Sequence, residues 1–259
     1  MKDKLEAFER LLNIMDELRE KCPWDRKQTF ESLRNHTIEE TYELADAIIE
    51  DNMDEVREEL GDLMLHIVFY ARIGSERKAF DIKSVIDTII EKLIFRHPHI
   101  FGNADVRDNP ETVMKNWEEL KIKEGNDSVL GGVPGALPAM IKANRIQEKV
   151  SSIGFDWEEP SQIWDKVQEE LDEFRQEAER MNKAKMAEEF GDLLFSIINA
   201  ARLYHIDPET ALEKTNKKFI KRFEFLENRT LKQGQKLRNM TLTEMNRIWE
   251  EAKNFDDKS

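Results

Sequence analysis

The sequence predicts an all-α protein made of two tandem helical repeats, and three observations carry that expectation. Helix breakers are scarce, with 10 Gly and 7 Pro in 259 residues, while Glu, Lys, Leu, Met and Ala abound. The Thr, Val and Tyr runs that favour strands are missing. Finally, a pair of acidic motifs occurs twice at one offset, which marks an internal duplication.

Taken in chain order, a flanking helix is expected at about 3–20. Three main helices follow at about 37–51, 53–74 and 82–96, and three more at about 161–181, 184–204 and 208–229. The second set shows its periodicity clearly: Ile163, Val167, Leu171, Phe174 and Ala178 recur at helical spacing, as do Met186, Phe190, Leu193, Ile197 and Ala201. Asp207-Pro208-Glu209 is a suitable N-cap with Pro at the first helical position. Between the sets, Gly131-Gly132-Val133-Pro134-Gly135-Ala136-Leu137-Pro138 concentrates the breakers. The expected division is therefore an N-terminal helical domain over 1–115, a linker region over 116–150 and a C-terminal helical domain over 151–259, with a short helix at 241–253 closing the chain. Two long helices and a third cannot bury every apolar stripe alone, so pairing with a second subunit into a bundle is expected.

Composition excludes several classes of function. One cysteine, Cys22, leaves no disulfide framework or thiolate zinc cluster and fits a reducing cytoplasm, where it reads as a packed, inert thiol. A net charge of −14 sets a repulsive mean field against nucleic acid. No run of eighteen apolar residues predicts a membrane span, and the N-terminus has no leader-like apolar stretch.

The duplicated motifs carry the chemistry. Glu39-Glu40-Thr41-Tyr42-Glu43 and Glu169-Glu170-Leu171-Asp172-Glu173 both read E-E-x-x-E, and Glu58-Glu59-Leu60-Gly61-Asp62 and Glu188-Glu189-Phe190-Gly191-Asp192 both read E-E-x-G-D. Each pair is separated by the same 130 residues. Lys92-Leu93-Ile94-Phe95-Arg96 and Lys218-Phe219-Ile220-Lys221-Arg222 match at 126, so one connection is shorter in the second copy. Residues three apart share a helix face, which pairs Glu170 with Glu173 and Glu189 with Asp192. Glu170 lies between Val167 and Phe174, and Glu189 between Met186 and Leu193, so both border the apolar stripe. Four carboxylates meeting at such a seam repel one another unless a hard divalent cation compensates, which favours Mg²⁺ with Mn²⁺ as a substitute. The glycines at 61 and 191 suggest close approach of a facing helix or a ligand. Lys218 and Arg222, four apart, form a cationic row suited to phosphate. No P-loop is present, so phosphate would depend on metal and these cations. A di-iron site is disfavoured because no histidine has a Glu three residues before it.

With these motifs, and with Cys22-Pro23-Trp24-Asp25, Arg96-His97-Pro98-His99-Ile100-Phe101 and Gly154-Phe155-Asp156-Trp157, the chain resembles the MazG family within the all-α nucleoside triphosphate pyrophosphatase superfamily. The resemblance implies Mg²⁺-dependent hydrolysis of NTP or dNTP to monophosphate and pyrophosphate, a homodimer, and a role in nucleotide-pool cleansing or stress-linked nucleotide regulation. It places second-copy metal ligands at Glu170, Glu173, Glu189 and Asp192, with first-copy counterparts at Glu40, Glu43, Glu59 and Asp62. It also implies nucleotide contacts along Lys166, Val167, Gln168, Glu169 and Glu170, along Lys185, Met186, Ala187 and Glu188 to Asp192, along Lys218, Phe219, Ile220, Lys221 and Arg222, and at Trp249. In the expected chemistry Glu169 takes a proton from the attacking water, while Lys218 and Arg222 neutralise the leaving group. The first copy departs where Arg96 runs into His97-Pro98-His99, so its activity is open, and a non-catalytic nucleotide- or partner-binding module is the alternative. Trp24, Trp117, Trp157 and Trp164 are read as core or interface anchors.

Overall fold

A computed structural model describes residues 1–102, 128–232 and 236–256, and the chain forms two compact units that divide between Leu120 and Lys121. Among the described residues all regular structure is helical.

In the first unit, α1 (Lys2–Lys21) leads through a 3₁₀ turn (Asp25–Lys27) into α2 (Phe30–Ile49), α3 (Met53–Glu76), α4 (Ile82–Arg96) and the short α5 (Pro98–Phe101). The α2 helix begins at Phe30, a full two turns before the expected start at 37, because Thr29 and Ser32 close a capping box. Ser32 N donates to Thr29 Oγ1 at 3.2 Å, and Thr29 N donates to Ser32 Oγ at 2.9 Å, which satisfies two donors at the new terminus. Asp51, in the left-handed region with φ of 55°, turns the chain so that α2 and α3 pack as a hairpin, and Asn52 caps α3. The core joins Met15 of α1, Leu33 of α2 and Val68, Phe69 and Ile73 of α3, with Phe30 stacked on Tyr70 at 5.5 Å. Arg19 fixes α1 by pairing with Glu76 at 2.6 Å and donating to the backbone oxygens of Asp25 and Gln28.

The second unit contains α6 (Ala139–Ser151), a 3₁₀ turn (Pro160–Gln162), α7 (Ile163–Glu179), α8 (Lys183–Leu203), α9 (Pro208–Lys232), a further 3₁₀ turn (Leu237–Asn239) and α10 (Leu242–Asp256). The duplication extends to the backbone: Met181, with φ of 56°, makes the same turn between α7 and α8, and Asn182 caps as Asn52 does. Ile163, Leu193, Ile198, Ala200, Leu226, Ile248 and Ala252 are buried.

The structure corrects one boundary expectation. Residues 139–150, placed in the linker region by their distance from the acidic motifs, form α6, which packs against α8 with Gln147 and Lys149 buried. The breaker-rich run ends at Pro138, which opens this helix. Trp117, expected as a core or interface anchor, lies outside the described residues. No helix among the described residues is long and apolar enough to cross a membrane.

Candidate active site

The α7–α8 hairpin brings carboxylate oxygens of Glu170, Glu173 and Glu189 to within 4.8 Å of one another, and the α2–α3 hairpin does the same for Glu40, Glu43 and Glu59. The cause is local. Helical spacing sets two acids on one face of the first helix, and the Asp51 and Met181 turns fix the register at which the second helix presents its glutamate. Packing drives this convergence against the repulsion of the acids. Desolvation, then the charges of Glu173 and Glu188, raise the Glu189 pKa above the ordinary carboxylate value. Glu40 is raised by desolvation and by the charges of Asp62 and Glu43, and Glu59 by desolvation, Glu43 and Asp62.

The fourth expected ligand stands apart in each copy. Asp192 and Asp62 are outside the two tight groups, though close enough to act on Glu189 and on Glu40 and Glu59 electrostatically. An aspartate is one methylene shorter than a glutamate, so the i+3 position that suits Glu173 leaves Asp192 short of the cluster. Three converging acids nonetheless fit a divalent ion. Their donor set is all oxygen, it leaves positions for water and phosphate, and in the first copy Glu59 Oε2 is buried with no hydrogen-bond partner among the described residues.

Lys166 supplies the local counter-charge. Its Nζ lies 2.7 Å from Glu170 and 3.0 Å from Glu169, and Glu170 is only 5% exposed. These bonds, Glu170 first, hold the ammonium protonated well above the usual lysine range. Glu169, the expected proton acceptor, is thus an exposed partner of Lys166 outside the carboxylate group. Lys185 similarly pairs with Glu188 at 2.6 Å. Around them, Val167 and Met186 are half-buried and Gln168 and Ala187 exposed. On α9, Lys218 is exposed and Arg222 half-buried, and no hydrogen bond or ion pair among the described residues joins Lys218 to the acids. Trp249 of α10 packs its ring 4.9 Å from that of Phe219.

Beside the carboxylates of the second unit is a cavity of about 640 Å³, walled by α6, the 154–157 loop, α7 and α8. Glu170 and Asp192 belong to its lining, together with Lys166. Ile146, Val150, Ile163 and Phe195 make it apolar, and Phe155 and Trp157 add aromatic surface. Gln147, Ser196, Asn199 and Arg202 supply the polar groups. Arg202 holds the loop in place: its Nη1 donates to Asp156 Oδ2 at 2.9 Å and its Nε to Asn199 Oδ1 at 2.9 Å.

This cavity was missed by reading motifs. Of the tryptophans expected as core or interface anchors, Trp157 is 39% exposed and lines the cavity, and Trp24 and Trp164 are exposed on the surface of their units, so none of the three is in a core. One signal was available in the repeat itself. Asn199 and Ser196 occupy the positions that Phe69 and His66 hold in the first copy, so polar groups replace buried rings on the equivalent helix face. In the first unit a smaller cavity of about 180 Å³, between α1, α3 and the start of α4, touches none of Glu40, Glu43 or Glu59. Of the two expected reasons for the glycines, a facing helix or a ligand, the first is not met. A Cβ on Gly61 or Gly191 would meet nothing within 4 Å, so no facing helix in the described chain requires them.

Comparison with known proteins agrees with the duplication. The MazG nucleotide pyrophosphohydrolase domain matches residues 28–101 and 158–225. The chain is 45% identical to the nucleoside triphosphate pyrophosphohydrolase/pyrophosphatase MazG of Thermotoga maritima, over 99% of this chain and all of that protein. It is 39% identical to the nucleoside triphosphate pyrophosphohydrolase of Escherichia coli K12, over 96% of this chain and 98% of that protein. It is 44% identical to the uncharacterized protein YabN of Bacillus subtilis, over 97% of this chain and 53% of that protein.

Proposed function

Because the chain belongs to the MazG nucleotide pyrophosphohydrolase family, we propose that its second unit hydrolyses nucleoside triphosphates to monophosphate and pyrophosphate, with Mg²⁺ or Mn²⁺ held by Glu170, Glu173 and Glu189. The observation that carries this reading is the adjacency of three converging carboxylates to a 640 Å³ cavity that shares Glu170 with them. A bound divalent ion supplies positive charge that draws in the triphosphate oxygens and makes water a competent nucleophile at neutral pH. Asp192, which lines the cavity beside the cluster, orients the attacking water by accepting a hydrogen bond from it. Water adds to the α-phosphorus, the bond to the α,β-bridging oxygen breaks, and Glu169 takes the water's proton. Lys166 shields the attacking side from the negative charge of Glu170. Lys218 and Arg222 receive the pyrophosphate, and they reach the site in a homodimer. The cytoplasm, with its reducing conditions and NTP pool, is the compartment of this activity.

For the first unit a second reading is favoured by a specific observation. It keeps the three acids, yet Phe69 and His66 are buried where Asn199 and Ser196 line the second cavity. It therefore binds a divalent ion without turning over a nucleotide. The test of the main reading is product analysis of a panel of NTPs and dNTPs incubated with protein and Mg²⁺. Monophosphate and pyrophosphate are expected; diphosphate and orthophosphate would overturn the assignment.

A further inference from the structure

We propose that the cavity of the second unit takes the nucleobase, and that Gln147 selects it by accepting an N–H from the base edge; this deepens, and rests on, the reading of the site as a triphosphate hydrolase.

Gln147 carries an unmet acceptor. Gln147 is 3% exposed on α6, and its Nε2 donates to the backbone oxygen of Phe195 at 2.8 Å. A backbone carbonyl only accepts, so this bond fixes which end of the amide is nitrogen. The other end, Oε1, is buried and has no hydrogen-bond partner among the described residues, although Gln147 lines the cavity. Buried polar groups are nearly always paired, and one left unpaired beside a cavity is a place where a ligand donor completes the pairing.

A complementary group sits on α8. Asn199 accepts the Arg202 guanidinium with its Oδ1, and a guanidinium only donates, so the end of Asn199 that remains is its NH₂. Arg202 is itself held by Asp156, which keeps this orientation rigid. Beside the apolar side chains of Ile146, Val150, Ile163 and Phe195, the cavity thus offers the Gln147 acceptor and the Asn199 donor, with Phe155 and Trp157 as flat surfaces. A phosphate chain has no N–H for Gln147 and no use for apolar walls, whereas a heteroaromatic base has donors, acceptors and π-faces together. Glu170 and Asp192, shared by the cavity and the carboxylate cluster, put the base on one side and the phosphates on the other.

The test compares the preferred NTP with ribose 5-triphosphate, which retains sugar and phosphates but has no base. In Gln147→Met, the ratio of kcat/KM for NTP over ribose 5-triphosphate is expected to fall at least tenfold, mainly through KM. Asn199→Asp, which keeps the oxygen facing Arg202 and removes the donor, serves as the second variant should Gln147→Met fail to fold, and the same ratio should fall. An unchanged ratio, whether both substrates suffer equally or neither does, overturns the proposal. Titration calorimetry with phosphate-free nucleosides separates the two readings. If no NTP is hydrolysed the catalytic reading fails alone, and nucleoside binding by the wild-type protein that is lost in the variants still supports the base pocket. Equal binding by wild type and variants, or none by either, sinks it.

Discussion

At Glu189, burial and like charge act together. Desolvation and the neighbouring Glu173 raise its pKa in the folded chain, and Glu40 and Glu59 are raised for the same reasons. A folded carboxylic acid with a raised pKa binds more protons than its unfolded form in the window between the two values, so without metal these three acids take stability away as pH rises above the ordinary carboxylate value of 4.5. Thermal melts of the chelator-treated protein should show Tm declining over that range, and Mg²⁺ should reverse the decline. Glu189→Gln removes one repelling charge and one ligand. It is expected to flatten the metal-free pH dependence, to shrink the Mg²⁺ effect on Tm, and to lower turnover by on the order of 100-fold, since even partners of metal ligands cost 10–100-fold. Turnover near the wild-type rate would exclude Glu189 from the metal centre. The acids themselves were legible because a three-residue step has one meaning on a helix. Gln147 and Asn199 were not, because an amide becomes a recognition group only when its other end is occupied by a backbone oxygen or a guanidinium brought from elsewhere in the chain.

The helices show where sequence patterns stop. The start of α9 followed from Asp207, whose carboxylate accepts from Thr210 N, and the expected starts at 53 and 82 match α3 and α4, which the structure shows capped by Asn52 and Asp81. The start of α2 did not, because its first turn carries no regular apolar stripe and depends on the Thr29–Ser32 box and on Phe30 stacking against Tyr70. Thr29→Ala should cost about 1 kcal/mol in urea denaturation, the typical loss for such a cap. No change in midpoint would show that the Phe30 contact alone fixes this end. The α6 helix escaped for a different reason: it lies outside the duplicated acidic motifs and follows a breaker-rich run, and only its packing on α8 identifies it as part of the second unit.

For the whole chain, the duplication was readable from two motifs at one offset, and the family match to 28–101 and 158–225 shows it. What the motifs conceal is that the copies have diverged in space and not in charge, one closed around Phe69 and one open around Asn199. Glu59→Gln is therefore expected to leave pyrophosphate release within about twofold of wild type, while Glu189→Gln abolishes most of it. Comparable losses from both would make the first copy a second catalytic site. Ile89, Ile90, Leu93 and Ile94 of α4 and Leu212, Phe219 and Ile220 of α9 leave apolar surface exposed on a single chain. Light scattering should accordingly give twice the 30.6 kDa mass of one chain, and a monomer at micromolar concentration would remove the route by which Lys218 reaches the acids.

The ammonium of Lys166 bears on how such a site can exist before any ion arrives. By resting against Glu170, it sets one tethered positive charge at the edge of the cluster that packing has assembled. An arriving ion must then do more for Glu170 than a charge already on the chain. On the proposed reading, potassium and sodium, carrying no more charge than this lysine, should compete poorly for Glu170, and doubly charged ions better.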